Sequence, residues 1–220
     1  MSTSEKKTIT VPGSEGEHHA QEKFGTTRRA LAFYNNQMLD HLNAVMQEFI
    51  ARQEMVFIAT ADARGECDCS FRAGSAGFVI VLDEKTLAFP EYRGNGVMAS
   101  VGNISGNPHV GLIFIDFFQS TVGLHVNGEA RVVEYEDLLS RPDVTPHMTK
   151  ASATTGGRRP ERWIFVKVEE AYIHCSKHVP LLKKLDKDIH WGTDDETRKG
   201  GDFFRAKDCP RPWRRADARE

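Results

Sequence analysis

No uninterrupted apolar run in the chain approaches the ~18 residues that a helical membrane span needs. The first residues hold no apolar core of the kind that marks a signal peptide, so a cytoplasmic protein is expected. Cysteine is scarce. The four present, Cys67, Cys69, Cys175 and Cys209, are expected as free thiols in a reducing compartment. Cys67-Asp68-Cys69 has one intervening residue where a redox or zinc C-x-x-C motif has two, so no metal site is expected. At i and i+2 of a strand the two thiols share a face, as small core fillers. Excess charge of either sign is missing too. The 29 basic residues face 31 acidic ones, for a formal net charge of −2, which points away from nucleic acid. Four arginines in the last ten residues read as a solvated tail. No internal repeat is visible.

What is present is enough for one barrel-sized domain: 220 residues, 40% of them hydrophobic. Residues 1–26 are polar and read as a mobile arm. From Thr27 to Glu54 a helical stripe runs through Leu31, Tyr34, Met38, Leu42, Val45, Phe49 and Ile50. Beyond Glu54 the period shortens. Strands are expected at 55–60, 67–72, 78–82 and 86–89, joined by tight turns such as Asp62-Ala63-Arg64-Gly65. A short helix at 95–107, an apolar strand at 109–117 and a long strand at 122–133 follow. Residues 135–161 read as a long irregular connection. On the strand at 162–173, Ile164, Val166 and Val168 share one face, with Trp163 and Phe165 on the other. Short turns join antiparallel neighbours, so the pattern predicts a mainly β, antiparallel barrel of six to seven strands flanked by helices. The barrel with its leading helix spans 27–187, and 188–220 form a polar tail.

One motif bears on chemistry. Gly94-Asn95-Gly96-Val97-Met98-Ala99 fits G-x-G-x-x-G/A, the dinucleotide-binding turn. A Rossmann turn needs helical crossovers between parallel strands, and the turns here are too short for them. The stretch still suits a phosphate. Glycines admit close backbone approach, a helix opens beside them with free N–H groups, and Arg93 adds a forked cation. Arg72, on a neighbouring strand, is a second candidate for the same anion.

"EMVFIATADARGECDCSFRAG", "GFVIVLDEKTLAFPEYRGNG", "SVGNISGNPHVGLIFIDF" and "LHVNGEARVV" follow one another between Glu54 and Val133, and "AYIHCSKHVP" comes later. In these segments the chain resembles the pyridoxamine 5′-phosphate oxidase-like family of flavin-binding split barrels. The resemblance implies an FMN-binding split β-barrel, a homodimer with the cofactor at the interface, and a small-molecule substrate. It implies phosphate contacts from Ser70, Phe71, Arg72, Tyr92, Arg93, Gly94, Asn95, Gly96 and Ser100. It implies polar contacts to the flavin ring from His125 and Asn127, and an approach to the ring edge by His174, Cys175, Ser176 and Lys177. Two departures separate the chain from true pyridoxamine phosphate oxidases. Their Arg-Lys pair at the start of the middle helix is replaced by Met98-Ala99-Ser100, and their "W…RLxP" substrate segment is replaced by "CPRPWRRADARE". An FMN-dependent oxidoreductase of another substrate is expected, with no residue marked as catalytic. A non-enzymatic binder of flavin or haem and a deazaflavin-dependent reductase are the alternatives.

Overall fold

The computed structural model describes residues 11–211 and residue 213. Two helices come first, α1 (Glu15–Lys23) and α2 (Thr27–Gln37). Nine residues of the expected mobile arm, 15–23, are therefore helical, while its residues 1–10 lie outside the described residues. A reciprocal cap nucleates α1: Glu17 N–H donates to Ser14 Oγ at 3.2 Å, and Ser14 N–H donates to the Glu17 carboxylate. Nothing on α1 is buried, which is why no apolar period announced it.

The helix expected from Thr27 to Glu54 is two helices with a corner between them. After α2 come the two-residue strand β1 (Met38–Leu39) and then α3 (Ala44–Ala51). Asn43 opens α3, its side-chain oxygen accepting from Met46 N–H at 2.9 Å. The apolar stripe alone did not reveal this second start.

Alternation builds the rest: β2 (Met55–Ala61), β3 (Cys67–Ala73), β4 (Ile80–Asp83), β5 (Thr86–Tyr92), the helix α4 (Ala99–Gly106), β6 (His109–Ile115) and β7 (Gly123–Glu134). Two short helices, α5 (Tyr135–Leu139) and α6 (Pro146–Ser152), lie inside the stretch expected as irregular. The 15-residue β8 (Pro160–His174) ends the sheet. Among the described residues the sheet has eight strands, all pairs antiparallel; seven follow the order β3-β2-β6-β7-β8-β5-β4, and β1 pairs with β8 off this path. The fold is a split β-barrel with flanking helices, and β3 and β4 are the two ends of its strand path.

β8 holds the barrel together. Its first half pairs with β5 on one side, its last residues pair with β1, and β7 runs along it from Arg162 to His174. Val56, Ile58, Leu112, Phe114, Val126, Ile164 and Val166 point inward, packed with Phe49 and Ile50 of α3 and Ile104 of α4. Each such side chain contributes roughly 1.5–3 kcal/mol by burial. A second core lies outside the barrel. There Trp163 and Phe165 pack with Ala88 and Val133 under Leu138 of α5 and Met148 of α6. The indole N–H of Trp163 donates to Ser152 Oγ at 3.0 Å. The ladder slips one residue between Asn127 and Gly128, and a Cβ on Gly128 would stand 2.0 Å from the Lys167 carbonyl oxygen.

Cys67 and Cys69 do share a face, but it is the outer face of an end strand and both are exposed, not core. No helix among the described residues is long and apolar enough to cross a membrane.

Candidate functional site

Among the described residues β3 pairs only with β2, so its inward-facing residues have no strand on their other flank. The register puts Asp68, Ser70 and Arg72 opposite the inward-pointing Thr60, Ile58 and Val56. α4 packs beside them against β2, β3 and β7. A cleft of about 290 Å³ opens here, between β3, the end of β5, the loop 93–98 and the start of α4. Seven of the expected phosphate residues line it: Ser70, Arg72, Tyr92, Gly94, Asn95, Gly96 and Ser100.

Inside the cleft Ser70 Oγ donates to Asp68 Oδ2 at 2.9 Å, and Ser100 Oγ lies 3.2 Å from both Asp68 Oδ2 and Ser70 Oγ. α4 starts at Ala99, later than the expected Asn95, because Asn95 and Gly96 are used in a turn. Asn95 Oδ1 accepts from Val97 N–H at 3.0 Å, and Met98 takes a left-handed conformation at φ 57°. Among the described residues no side chain caps the amino end of α4, and its first residues Ala99, Ser100 and Val101 line the cleft. Tyr92 is half-buried, and burial pushes its hydroxyl pKa above the ordinary phenol value while the nearby Arg158 pulls it down.

Two carboxylates that the sequence did not single out change the electrostatics. Arg72 forms a two-pronged pair with Glu91, Nε to Oε2 at 3.0 Å and Nη2 to Oε1 at 3.2 Å, with the side chains 20% and 13% exposed. Asp68 is the second. The cleft thus holds one guanidinium against two carboxylates. Strand alternation from Ser70 would have flagged Asp68, which shares its face. Glu91 is 19 residues from Arg72 in the chain, and only the fold joins them.

Arg93 does not join Arg72. It turns away to a neighbouring cleft, where its guanidinium pairs with Asp194 at 2.9 Å. Phe71 also points away, as alternation requires. It lies 54% exposed on the outer face, edge-on to Phe57 with ring centres 5.5 Å apart.

The outer face carries the ring-contact candidates. His125 and Asn127 on β7 stand beside Tyr172 and Glu170 on β8. His125 Nε2 and His174 Nδ1 share a hydrogen bond of 3.0 Å, and the His125 ring stacks on Tyr172 with centres 4.7 Å apart. Asn127 Nδ2 donates to Glu170 Oε2 at 3.2 Å. Burial, and then the charge of His174, pushes the pKa of His125 below the ordinary imidazole value. Cys175, Ser176 and Lys177 follow directly, Ser176 opening a single 3₁₀ turn (Ser176–His178). Cys175 is exposed, and His174 is the member of that group brought against His125. Tyr172 and Glu170 were missed; both sit at alternate positions before His174.

A family model described as pyridoxamine 5′-phosphate oxidase matches residues 42–175, more than half of the chain. No curated protein matches the sequence. Solved structures share the general form. HupZ from Group A Streptococcus is 21% identical, with 58% of this chain covered and 89% of that one, at a TM-score of 0.43. An FMN-binding protein from Syntrophomonas wolfei is 14% identical, with 77% and 100% covered, at 0.42. HutZ, a haem storage protein from Vibrio cholerae, is 15% identical, with 60% and 93% covered, at 0.39.

Proposed function

Because the chain belongs to the pyridoxamine 5′-phosphate oxidase family, we propose that it binds FMN and acts as a flavin-dependent oxidoreductase on a small molecule. The observation that carries this reading is the cleft beside α4. Two serine hydroxyls, a glycine loop, a half-buried guanidinium and an uncapped helix start meet in about 290 Å³. This donor set suits a phosphate. On this reading the ring lies against a surface completed by a second copy of the chain, with His125, Asn127 and His174 among its polar neighbours.

Flavin, when bound, supplies hydride or electron transfer. The protein's part is to hold and orient. Ser70 and Ser100, which donate to Asp68 in this structure, would turn their hydroxyl protons to the phosphate, and Arg72, held by Glu91, adds a guanidinium beside it. Asp68 acts against a full dianion, because a carboxylate beside a second negative group costs several kcal/mol at short range. The seat therefore favours a phosphate that keeps one proton. The His125–His174 pair can pass a proton between ring nitrogens on the outer face.

A haem-binding reading is favoured by one observation. His125 is a half-buried imidazole on the outer face, its Nε2 3.0 Å from Nδ1 of His174, and a neutral imidazole is a common metal ligand.

The test is direct. The protein is mixed with FMN, freed of excess by gel filtration, and its visible spectrum is recorded. A flavin spectrum that travels with the protein is the expected result. A colourless protein overturns the flavin reading, and a haem titration that then gives a Soret band would put the second reading in its place.

A further inference from the structure

A second cleft, of about 640 Å³, opens on the other side of the loop that follows β5. Its walls come from three distant parts of the chain: Arg93 in that loop, Tyr135 at the start of α5 with Gly157 and Arg159 before β8, and Gly192 far along the chain. The backbones meet closely where these parts join. A Cβ on Gly157 would stand 1.8 Å from the Trp191 carbonyl oxygen, so only glycine permits this contact.

The arginines are the informative part. Arg159 lies over the Tyr135 ring at 5.4 Å from its centre, and Arg158 lies over the Trp191 ring at 5.8 Å. Trp191 packs in turn on Tyr92, with ring centres 5.4 Å apart. Stacking fixes a guanidinium plane and leaves its N–H edge free to donate. Among the described residues neither Arg158 nor Arg159 has a carboxylate within ion-pair distance. Glu161 also lines the cleft, but it is drawn to Arg162 at 3.5 Å. Among the described residues Arg93 is held only by Asp194, in a pair whose side chains are 57% and 69% exposed. A pair so exposed contributes little and exchanges readily for a better anion.

We propose that this cleft is an anion site for the phosphate group of a small organic phosphate, separate from the cleft beside α4. Asp194 stands in for the ligand. Its carboxylate occupies Arg93 and holds the segment around Trp191 across the opening. An incoming phosphate displaces it and gathers Arg93 and Arg159, the fork geometry of each guanidinium matching two phosphate oxygens. Binding at this site does not require that the protein bind flavin.

Isothermal titration of the full chain with ADP, and separately with inorganic pyrophosphate, tests the site. Saturable binding of ADP is expected, weakened at least tenfold in Arg159→Ala, the loss expected for one charge-assisted contact. Arg159→Lys keeps the charge without the fork and should fall between. Asp194→Asn should bind severalfold more tightly than the wild-type chain. Pyrophosphate binding as tight as ADP binding would show that the phosphate is the recognised part. Absence of saturable binding to either probe, or binding that Arg159→Ala leaves unchanged, overturns the site. An Asp194→Asn variant that binds no more tightly overturns the displacement. Loading of Arg159→Ala with FMN as for the wild type is expected, so failure here and failure of the flavin reading are told apart.

Discussion

The two halves of β8 use the same backbone pattern in opposite ways. From Trp163 to Val166 both faces of the strand are covered. Ile164 and Val166 look into the barrel, and Trp163 and Phe165 look out into a second core closed by α5 and α6. From Glu170 to His174 the inward Ala171 is still buried, but the outward residues are Glu170, Tyr172 and His174, half-buried and hydrogen-bonded to residues of β7. α2 reaches this half only at its margin, where Phe33 meets Tyr172 edge-on at 5.8 Å. The break falls at the bulge beside Gly128. One half of the strand is scaffold. The other presents polar and aromatic groups that the described residues leave partly uncovered.

The comparison can be sharpened by substitution. Trp163→Ala should cost the most, about 3–5 kcal/mol of unfolding free energy in urea titration, since a fully buried indole and its hydrogen bond to Ser152 are lost together. Tyr172→Ala, the same kind of change on the bare half, should cost distinctly less. Equal losses would erase the distinction between the halves. Gly128→Ala should cost about 1–3 kcal/mol in the same assay, because its new Cβ meets the backbone of Lys167 and not a flexible side chain.

The bare face is also where a second copy of the chain is proposed to sit. It continues through Ile113 on β6 and Phe57 on β2, paired with His125 and Ile113 respectively. Ile113→Arg should turn a dimer into a monomer at micromolar concentration in light scattering, and its unfolding midpoint should no longer depend on protein concentration. A wild-type chain that is monomeric in that experiment would remove the dimer from the account.

The smallest stability effect concerns pH. The folded state holds the pKa of His125 below its ordinary value of about 6.5, so the unfolded chain binds the proton more readily. The stability from keeping the ring neutral is complete above that value. It is lost as pH falls from there towards the depressed folded value. His125→Gln should flatten this part of the stability profile, as read from urea midpoints across that interval.

Much of the barrel was legible because alternation is a local signal. The inward set Ile164, Val166 and Val168 and the outward pair Trp163 and Phe165 follow from spacing alone. What covered the outward pair was not legible, since α5 and α6 are short and flanked by Pro142 and Pro146. The glycine loop and its serines could be read as a phosphate seat, and seven of those residues do line one cleft. Their charge balance could not be read. Glu91 meets Arg72, and Asp194 takes Arg93 into another cleft, through contacts between distant segments. The pair of arginines expected to share one anion is thereby divided.

The most direct measurement is FMN affinity at pH 8 and at pH 5.5, by quenching of flavin fluorescence, in the wild-type chain and in Asp68→Asn, with riboflavin as control. The second ionisation of a phosphate monoester falls near pH 6, between the two conditions. The account predicts that FMN binds severalfold more tightly at the lower pH, that Asp68→Asn binds it tightly at both, and that riboflavin shows no such gain. FMN that binds at neither pH would contradict the flavin assignment itself. FMN that binds equally at both, in both proteins, would contradict the role given to Asp68 in the cleft beside α4.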